Sequence, residues 1–525
     1  MKKSLLCITA GLLLCTASGR AEETVVPRFE IKKIFLEGNS ILPPGDVASI
    51  LQKYTGPQKD FGTLQEAMDE LEAAYRKRGY TMVTVLLPEQ ELERGTVVIN
   101  VLEPTVKAIL VEGNQHYSRD NILRALPSLK TGQTPRVAAI SENLRAANEN
   151  PGRKLTLQFK SDQKDTDLTA LVKVVDQKPW RITASADNTG SGATGEYRTG
   201  LAFQHFNLFN RDHLLALQYI TSPDHFEKVQ IVSGSYRLPL YGWGDTLDFF
   251  GAYSDVNSGT TQVSGTDIRI SGKGVVSGIR YNMNLRRYGD YEQKLIGGMD
   301  YRLYDNSARM LGQELAPDVV AHPLSLTYGG SLSGDLISLD GSLGLLYNIP
   351  WGDKGRKSDF QAVRNDATAN YLIARYTLSS LIRPGADWML RLAGNGQYSN
   401  DRLIPGEQFG MGGSTSIRGY QEREESWDNG VSGTAELYSP DLARIVDVNK
   451  LQLRLVGFFD AGYGYNQRPS VGELSNHTLN GTGAGVRLGV GEYLNFSLDW
   501  GHALNASTTT RKGEDRIHFK ASVSY

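Results

Sequence analysis

Cysteine is almost absent from this sequence: its two cysteines, Cys7 and Cys15, both lie in the first fifteen residues. Two lysines precede an apolar run over residues 5–14, and Ala21 offers a small residue for cleavage. This pattern predicts a secretory signal peptide over residues 1–21. The chain that remains after cleavage would carry no thiol, no disulfide and no cysteine-based metal site, which suits a protein that crosses an oxidising periplasm unfolded.

Long apolar runs and an excess of positive charge are also missing. No stretch of about 18 or more apolar residues follows the signal, so no transmembrane helix is predicted. The formal net charge of −2 gives no reason to expect a nucleic-acid partner. The sequence has no His-Glu-x-x-His motif, no Gly-x-Ser-x-Gly elbow and no phosphate-cradling glycine loop. We therefore predict no catalytic residue, no metal site and no cofactor.

Glycine, tyrosine and strict alternation are what the sequence has in quantity, with 56 glycines and 25 tyrosines. Residues 279–286 are apolar at odd positions and polar at even ones, and residues 494–500 and 517–525 alternate in the same way. Period-two alternation indicates strands with one apolar and one wet face, as in a transmembrane β-barrel. A soluble β-sandwich also alternates and is the alternative fold.

The length of the alternating region sets the number of strands. Residues 180–525, at about 20 to 22 residues per strand with its connections, support a barrel of about 16 antiparallel strands. The last strand carries Phe519, Val523 and a terminal Tyr525 on one face. This ending resembles the C-terminal signal of bacterial outer-membrane barrels, which implies barrel assembly machinery and outer-membrane lipid as partners.

A repeat precedes the predicted barrel. The segment Ile34–Asn39 recurs 75 residues later as Ile109–Asn114, which predicts two units over residues 28–104 and 105–179. Each unit is predicted to run strand, helix, helix, strand, strand. In the first unit, Thr63 and Glu66 form the pattern of a capping box, and Gly79 ends the helix that follows.

Short motifs in both regions carry a resemblance to one family. Two βααββ units followed by a barrel resemble the two-partner secretion transporters, the haemolysin secretion/activation group (ShlB/FhaC/HecB) of the Omp85 superfamily, whose repeated units are periplasmic POTRA domains. The matching segments are Arg78-Gly79-Tyr80, Asn148-Glu149-Asn150-Pro151, Asp187-Asn188-Thr189-Gly190, Ile417-Arg418-Gly419-Tyr420 and Phe458-x-Asp460-x-Gly462.

The resemblance implies a functional site inside the barrel. Ile417, Arg418, Gly419 and Tyr420 would form the tip of the sixth outer loop, folded into the lumen over about residues 403–428. Phe458, Asp460 and Gly462 would form the wall that receives it. The alternation of the strand beginning at Leu451 independently places Asp460 on the polar face.

The resemblance also implies the function and the partner. The POTRA domains would capture the N-terminal secretion domain of a large adhesin or haemolysin-type exoprotein in the periplasm, and a monomeric barrel would export it through the outer membrane without ATP. An exposed sheet edge can bind an extended client as an added strand. Our candidate edge carries Leu155, Leu157 and Phe159, although these side chains could equally pack on their own helices.

One departure from the family concerns the pore. Relatives can carry an N-terminal helix that plugs the barrel. Here only about seven residues, which include the short segment 22–27, separate the cleavage site from the first predicted strand. We therefore expect no plug and a leakier resting pore.

Three alternative functions remain open. An outer-membrane protein insertase of the same superfamily shares the barrel and the loop motif, although such relatives more often carry three, five or one POTRA units. A passive porin would not need the repeated periplasmic units. Carboxylates inside a barrel could also serve an enzyme, since a fold does not by itself decide function.

Overall fold

The computed structural model describes residues 27–91, 95–161, 167–192, 194–255, 260–263, 266–269, 273–305, 309–310, 313–314, 317–445 and 450–525. The predicted signal peptide over residues 1–21 and all but the last residue of the segment 22–27 lie outside this part of the chain. Within it, no helix is both long enough and apolar enough to cross a membrane.

The first repeat contains two small sheets and two helices. Its elements are β1 (Phe29–Ile31), β2 (Lys33–Glu37), α1 (Pro44–Leu51), β3 (Gly56–Lys59), α2 (Phe61–Lys77), β4 (Thr84–Leu86) and β5 (Thr96–Leu102). The main sheet has the order β2-β5-β4, and β1 pairs with β3. Leu64, Leu71 and Tyr75 lie on one face of α2 and are buried in the core of this repeat.

The capping box predicted at Thr63 and Glu66 is wrong. Asp60 caps α2 instead, because its carboxylate accepts hydrogen bonds from the Thr63 N–H at 2.8 Å and from the Thr63 hydroxyl at 2.9 Å. Both residues are good N-caps, but a carboxylate also interacts favourably with the helix dipole. These hydrogen bonds lower the pKa of Asp60 below its usual value. The helix therefore begins before Thr63, and it ends as predicted before Gly79, which has a φ of +91°.

The second repeat has the predicted element order. It contains β6 (Thr105–Glu112), α3 (Arg119–Arg124), α4 (Val137–Ala147), β7 (Arg153–Ser161) and β8 (Asp167–Asp176). Its sheet has the order β6-β8-β7, which repeats the pattern of the first. Most of this repeat belongs to the same compact unit as the barrel, which comprises Ala108–Lys130, Ala139–Lys160 and Ala170–Tyr525.

The repeated Gly-Asn pair makes the same turn in both units. Gly38 and Gly113 have positive φ angles of +79° and +88°. A Cβ atom at either position would lie 2.2 Å or 2.3 Å from a carbonyl oxygen of the neighbouring strand, so only glycine fits. A carboxylate then closes each turn, with Glu103 accepting the Ser40 N–H in the first unit and Asp176 accepting three consecutive backbone N–H groups in the second.

Sixteen antiparallel strands close into a barrel, as the sequence predicts. After the second repeat, the strands are β9 (Trp180–Asp187), β10 (Arg198–Leu208), β11 (His213–Thr221), β12 (Gln230–Leu240), β13 (Asp245–Asp255), β14 (Thr260–Val263), β15 (Thr266–Arg269), β16 (Lys273–Asn284), β17 (Tyr291–Asp305), β18 (Arg309–Met310), β19 (Gln313–Glu314), β20 (Val319–Ala321), β21 (Pro323–Ser333), β22 (Ile337–Asn348), β23 (Leu372–Gly385), β24 (Trp388–Tyr398), β25 (Phe409–Met411), β26 (Glu425–Trp427), β27 (Asn429–Tyr438), β28 (Leu451–Tyr465), β29 (Asn476–Val490), β30 (Leu494–Ala503) and β31 (Asp515–Ser524). A short helix, α5 (Lys357–Val363), lies between β22 and β23.

Not all of these strands belong to the wall of the barrel. The pairs β14–β15, β18–β19 and β25–β26 are short hairpins outside the ring. Strands β20 and β21 both pair with β17 and count as one strand interrupted at His322. The ring closes between β31 and β9, where five residue pairs run from Lys520 opposite Asp187 to Ser524 opposite Thr183.

Side chains alternate across the barrel wall. On β17, Met299 and Tyr301 are exposed on the outside, whereas Asp300 and Arg302 are buried on the inside. On β28, Phe459 is 48 % exposed and its neighbour Asp460 is fully buried. An apolar outer surface and a polar lumen are what a bilayer requires of a closed sheet, because lipid offers no hydrogen-bond partners.

Candidate functional site

The connection between β24 and β27, residues 399–428, folds into the barrel rather than away from it; we call it the inward loop. It contains the β25–β26 hairpin and buries a set of large side chains. Its apolar cluster comprises Phe409, Met411, Ile417, Tyr420 and Trp427, together with Leu479 of β29 and Ala503 of β30. The apolar part of the loop is thus packed against the barrel wall.

Arg418, near the tip of the inward loop, is buried against Asp460 of β28. Its Nε donates to Asp460 Oδ2 at 2.8 Å and its Nη2 donates to Asp460 Oδ1 at 2.8 Å, which is the bidentate arrangement that suits a guanidinium and a carboxylate. The backbone N–H of Arg418 also donates to Asp460 Oδ2, at 3.0 Å. Asp460 therefore holds both the side chain and the main chain of the loop tip.

Two residues of β27 complete the shell around Arg418. Glu436 Oε1 accepts a hydrogen bond from Arg418 Nη1 at 2.7 Å, and Thr434 Oγ1 accepts one from Nη2 at 3.0 Å. The guanidinium also lies over the ring of Phe458, 3.4 Å from its centroid, in cation–π contact. Every donor group of the Arg418 side chain thus faces an acceptor or an aromatic face.

The charges around Arg418 balance. Asp499 of β30 lies 3.6 Å from Arg418 and pairs with Arg487 at 2.7 Å. Glu436 pairs in addition with Arg391, at 2.9 Å. Three arginines therefore face three carboxylates, Asp460 included. A buried network of this kind is stable only while every member keeps its partner.

Three glycines allow the loop tip to lie directly on the wall. A Cβ atom at Gly462 of β28 would lie 2.5 Å from the Ile417 side chain. At Gly481 of β29 it would lie 2.1 Å from the Arg418 carbonyl oxygen, and at Gly501 of β30 it would lie 2.6 Å from the Gly419 nitrogen. Gly419 itself has a φ of +99°, a conformation that favours glycine.

The remaining residues of the loop tip also contact the wall. The Tyr420 hydroxyl lies 2.9 Å from the carbonyl oxygen of Asn480 and 3.0 Å from that of Asn505. The Gly419 N–H donates to His518 Nε2 at 3.2 Å. All seven residues predicted at this site, from Ile417 to Tyr420 and Phe458, Asp460 and Gly462, therefore meet in one place.

Glu424 ties the inward loop to the connection between β30 and β31. Its carboxylate accepts hydrogen bonds from the Thr510 hydroxyl at 2.6 Å, from the Thr510 N–H at 2.7 Å and from Ser507. Burial raises the pKa of Glu424, but these hydrogen bonds outweigh burial and bring the pKa to about 2. Glu424 is therefore ionised at neutral pH.

Sequence reasoning missed Glu436, Thr434, Asp499, Gly481 and Gly501. On β27 the signal was present, since Ser432, Thr434 and Glu436 alternate with apolar or small residues. What was missing is the strand register, which places Thr434 opposite Asp460 and Glu436 opposite Phe458. Register depends on pairing between strands that are distant in sequence, so alternation alone does not reveal it.

The other predicted site residues lie away from the loop. Leu155 is buried and Leu157 and Phe159 are half-buried, all on β7, which is an edge strand of the second repeat. Val523 and Tyr525 are exposed on the outside of the barrel, and Phe519 is half-buried on the same strand. Tyr525 exchanges backbone hydrogen bonds of 2.8 Å and 3.0 Å with Ile182, so the chain end belongs to the closing seam.

Two family profiles match this chain. The profile described as haemolysin secretion/activation protein ShlB/FhaC/HecB matches residues 169–488, and the profile described as POTRA domain, ShlB-type, matches residues 29–104. The first match alone covers more than half of the chain, which is sufficient to assign the family.

Individual proteins agree with the profiles. The chain is 23 % identical over 477 residues to the heme/hemopexin transporter protein HuxB of Haemophilus influenzae, covering 88 % of this chain and 81 % of that one. It is 25 % identical over 410 residues to the hemolysin transporter protein ShlB of Serratia marcescens, covering 76 % and 70 %. Among solved structures, CdiB from Escherichia coli superposes with a TM-score of 0.75 at 19 % identity, covering 98 % of this chain and 93 % of that one, and therefore shares its fold.

A closed barrel with an inward loop, POTRA architecture and a profile match over most of the chain lead to one conclusion: the protein belongs to the haemolysin secretion/activation family ShlB/FhaC/HecB and is an outer-membrane transporter of two-partner secretion, which exports a partner exoprotein.

Proposed function

We propose that the inward loop is the internal obstruction of this secretion pore and that the contact between Arg418 and Asp460 is its latch. The observation that carries this proposal is the bidentate ion pair, with both side chains buried in the lumen. A chain in transit needs the space that the loop fills, so the loop has to leave its place or shift. The ion pair and the hydrogen bonds that hold the loop would then set how readily the pore opens.

The latch is tested by Arg418→Ala and Asp460→Ala. Removing one partner of a buried ion pair costs about 3–5 kcal/mol, because the other charge is left without compensation. We expect both variants to form a membrane-inserted barrel that still migrates faster on gels before boiling. They should secrete the exoprotein poorly, because a loop tip that has lost its buried partner no longer has one defined place in the lumen and obstructs the path of the exported chain. The measurement is the amount of exoprotein in the medium relative to the cell-associated amount.

A matched control for Arg418→Ala is Arg356→Ala, whose side chain is 72 % exposed beside α5. This variant should secrete like the wild type. Full secretion by both latch variants would sink the proposal.

We further propose that the exoprotein is captured by strand addition at the open edge of β7. Asn148 already occupies the beginning of this edge, because its side-chain amide donates to the Leu155 carbonyl oxygen at 3.0 Å and accepts from the Leu155 N–H at 2.7 Å. In an extended strand, the backbone N–H and C=O groups of Leu157 and Phe159 point to the same edge as those of Leu155. The client would therefore pair with Leu157 and Phe159 rather than with Leu155.

Strand addition at β7 can be tested by site-specific photocrosslinking. A photoreactive residue at Phe159 should form an adduct with the N-terminal domain of the exoprotein, which is the segment expected to meet the POTRA domains first. The same residue at Leu110, which is exposed on the opposite edge strand β6, serves as the control. Adducts at Leu110 but not at Phe159 would move the capture site to the other edge.

We also propose the type of exoprotein, the bounds of the domains and the other partners of this protein. The Serratia relative is named a hemolysin transporter, which supports an exoprotein of the haemolysin or adhesin type with an N-terminal secretion domain. We place the POTRA domains at residues 28–104 and 105–179 and the barrel at 180–525. Phe519, Val523 and Tyr525 would serve the barrel assembly machinery, and the protein would act as a monomer surrounded by outer-membrane lipid.

A further inference from the structure

A second buried ionic contact holds the inward loop at Glu407, eleven residues before Arg418. Glu407 is 0 % exposed. Its carboxylate accepts hydrogen bonds from Arg302 Nη1 at 2.8 Å and 2.9 Å, from the Tyr304 hydroxyl at 2.7 Å and from Arg375 Nη2 at 3.1 Å. Two arginines and a tyrosine thus share one loop carboxylate.

The partners of Glu407 lie on a different part of the wall from those of Arg418. Arg302 and Tyr304 belong to β17 and Arg375 belongs to β23, whereas Asp460 belongs to β28. In the ring of sixteen strands, β17 and β28 are six strand positions apart, with β21, β22, β23, β24 and β27 between them. Since β23 is only three positions from β28, the two contacts occupy neighbouring stretches of the wall, around β17 and β23 for Glu407 and around β27 and β28 for Arg418.

The local fit at Glu407 is as close as at the latch. A Cβ atom at Gly406 would lie 2.3 Å from the ring of Tyr304, so this position requires glycine for the approach. Leu403 and Ile404, just before it, are buried in a cluster with Tyr304. The Glu407 carbonyl oxygen accepts a hydrogen bond from the Gln397 side chain at 2.9 Å.

The receiving side is held in place without the loop. Arg302 pairs with Asp300 on its own strand at 2.7 Å, and Asp300 in turn contacts Arg280. A cavity of about 190 Å³ lined by Arg280, Asp300, Arg302 and Arg375 adjoins this cluster. Arg302 is thus pre-positioned to bind a carboxylate, and solvent has room to reach the arginines when Glu407 leaves.

We propose that Glu407 is a positioning residue that anchors the inward loop to β17 and β23, so that the loop is tied to the barrel wall at two places. Release of Arg418 alone then leaves a loop that is still tethered, and full opening requires release of Glu407 as well. The inference rests on the proposed role of the loop as the obstruction, but the anchor itself is measurable without transport.

The test compares Glu407→Gln, Arg375→Gln and Arg418→Ala in the full-length protein. Hydrogen–deuterium exchange should rise mainly in residues 402–412 for the first two variants and mainly in residues 413–424 for the third. In planar bilayers, each variant should raise the mean conductance, and the double variant Glu407→Gln with Arg418→Ala should exceed either single variant by about twofold or more, because two tethers are lost.

Glu492→Gln is the control, since this side chain is 74 % exposed and pairs with Arg181. It should match the wild type in both measurements. If Glu407→Gln does not give a heat-modifiable barrel, the anchor is tested with Arg375→Gln alone, because this variant leaves the contacts between Arg302 and Glu407 in place. If the folded variants exchange residues 402–412 as slowly as the wild type does, the proposed anchor is overturned. Faster exchange there with unchanged conductance would keep the anchor and overturn the role of the loop as obstruction.

Discussion

Gly481 shows how much a single residue without a side chain contributes to the site. It lies on β29, where the Arg418 carbonyl oxygen occupies the position that a Cβ atom would take. An added methyl group cannot be accommodated by rotating a side chain, because the obstructing atom belongs to the backbone of the loop tip. The loop tip would have to move, and Arg418 with it.

We predict that Gly481→Ala reduces secretion to a similar extent as Arg418→Ala while the barrel remains folded. The expected cost is about 1–3 kcal/mol, as for overpacking elsewhere. Export of the exoprotein and heat-modifiability of the barrel are the two measurements. Gly457→Ala on the adjacent β28 is the matched control, since a Cβ atom there meets nothing within 4 Å. Equal secretion by the two glycine variants would contradict the close approach.

Arg418 illustrates which part of the residue-level site is visible in a sequence. The ion pair was expected from two sources together: the alternation placed Asp460 on the polar face of its strand, and the resemblance of Ile417-Arg418-Gly419-Tyr420 to the family's loop motif placed Arg418 in the lumen. Glu436 and Asp499 were not indicated, because they reach Arg418 from strands whose register the sequence does not state. Glu407 was missed for the same reason, although it lies within the predicted inward loop.

At the scale of elements, the beginning of β7 is joined to two turns of the barrel. Arg153 donates to Asp212 at 2.5 Å, and the Tyr241 hydroxyl donates to the same carboxylate at 2.8 Å. Asp212 lies in the turn between β10 and β11, and Tyr241 lies in the turn between β12 and β13. The side chains of Arg153 and Asp212 are at most 1 % exposed.

We predict that Asp212→Ala destabilises the protein by about 3–5 kcal/mol, because Arg153 would remain buried without a counter-charge. The measurement is the temperature at which the unboiled barrel loses its faster migration on gels. Asp224→Ala, at an exposed position after β11, should leave this temperature unchanged. An apolar double replacement, Arg153→Met with Asp212→Leu, should recover part of the loss. The interpretation fails if the single variant and the control behave alike.

The element boundaries followed from the sequence where the signals were local. Ser118 caps α3 through a local contact of this kind, since its side chain accepts the Asn121 N–H at 3.1 Å. At α2 two residues compete for the cap, and only the folded chain shows that Asp60 is used. The edge position of β7 also required the structure, since sheet order depends on which strands pair.

At the scale of the whole molecule, one experiment separates secretion from general barrel insertion. We predict that deletion of the gene abolishes export of a single large exoprotein while other outer-membrane proteins assemble normally. The physical reason is that capture by the POTRA domains selects one partner, whereas an insertase has to accept many barrels. The measurement is a quantitative comparison of the outer-membrane and secreted proteins of wild type and mutant, with the gene restored as the control. A general loss of barrel proteins would point to the insertase instead.

The sequence by itself determined the class of the molecule, because alternation, the 75-residue repeat and the loop motif are properties of neighbouring positions. Period two gives each strand one apolar and one polar face, and it places Asp460 on the polar face. Only the tertiary structure decided which residues besides Asp460 meet Arg418 and where the inward loop is tied a second time. Those contacts join strands far apart in the chain, and closure of the ring, which sets their register and spacing, is a property of all sixteen strands together.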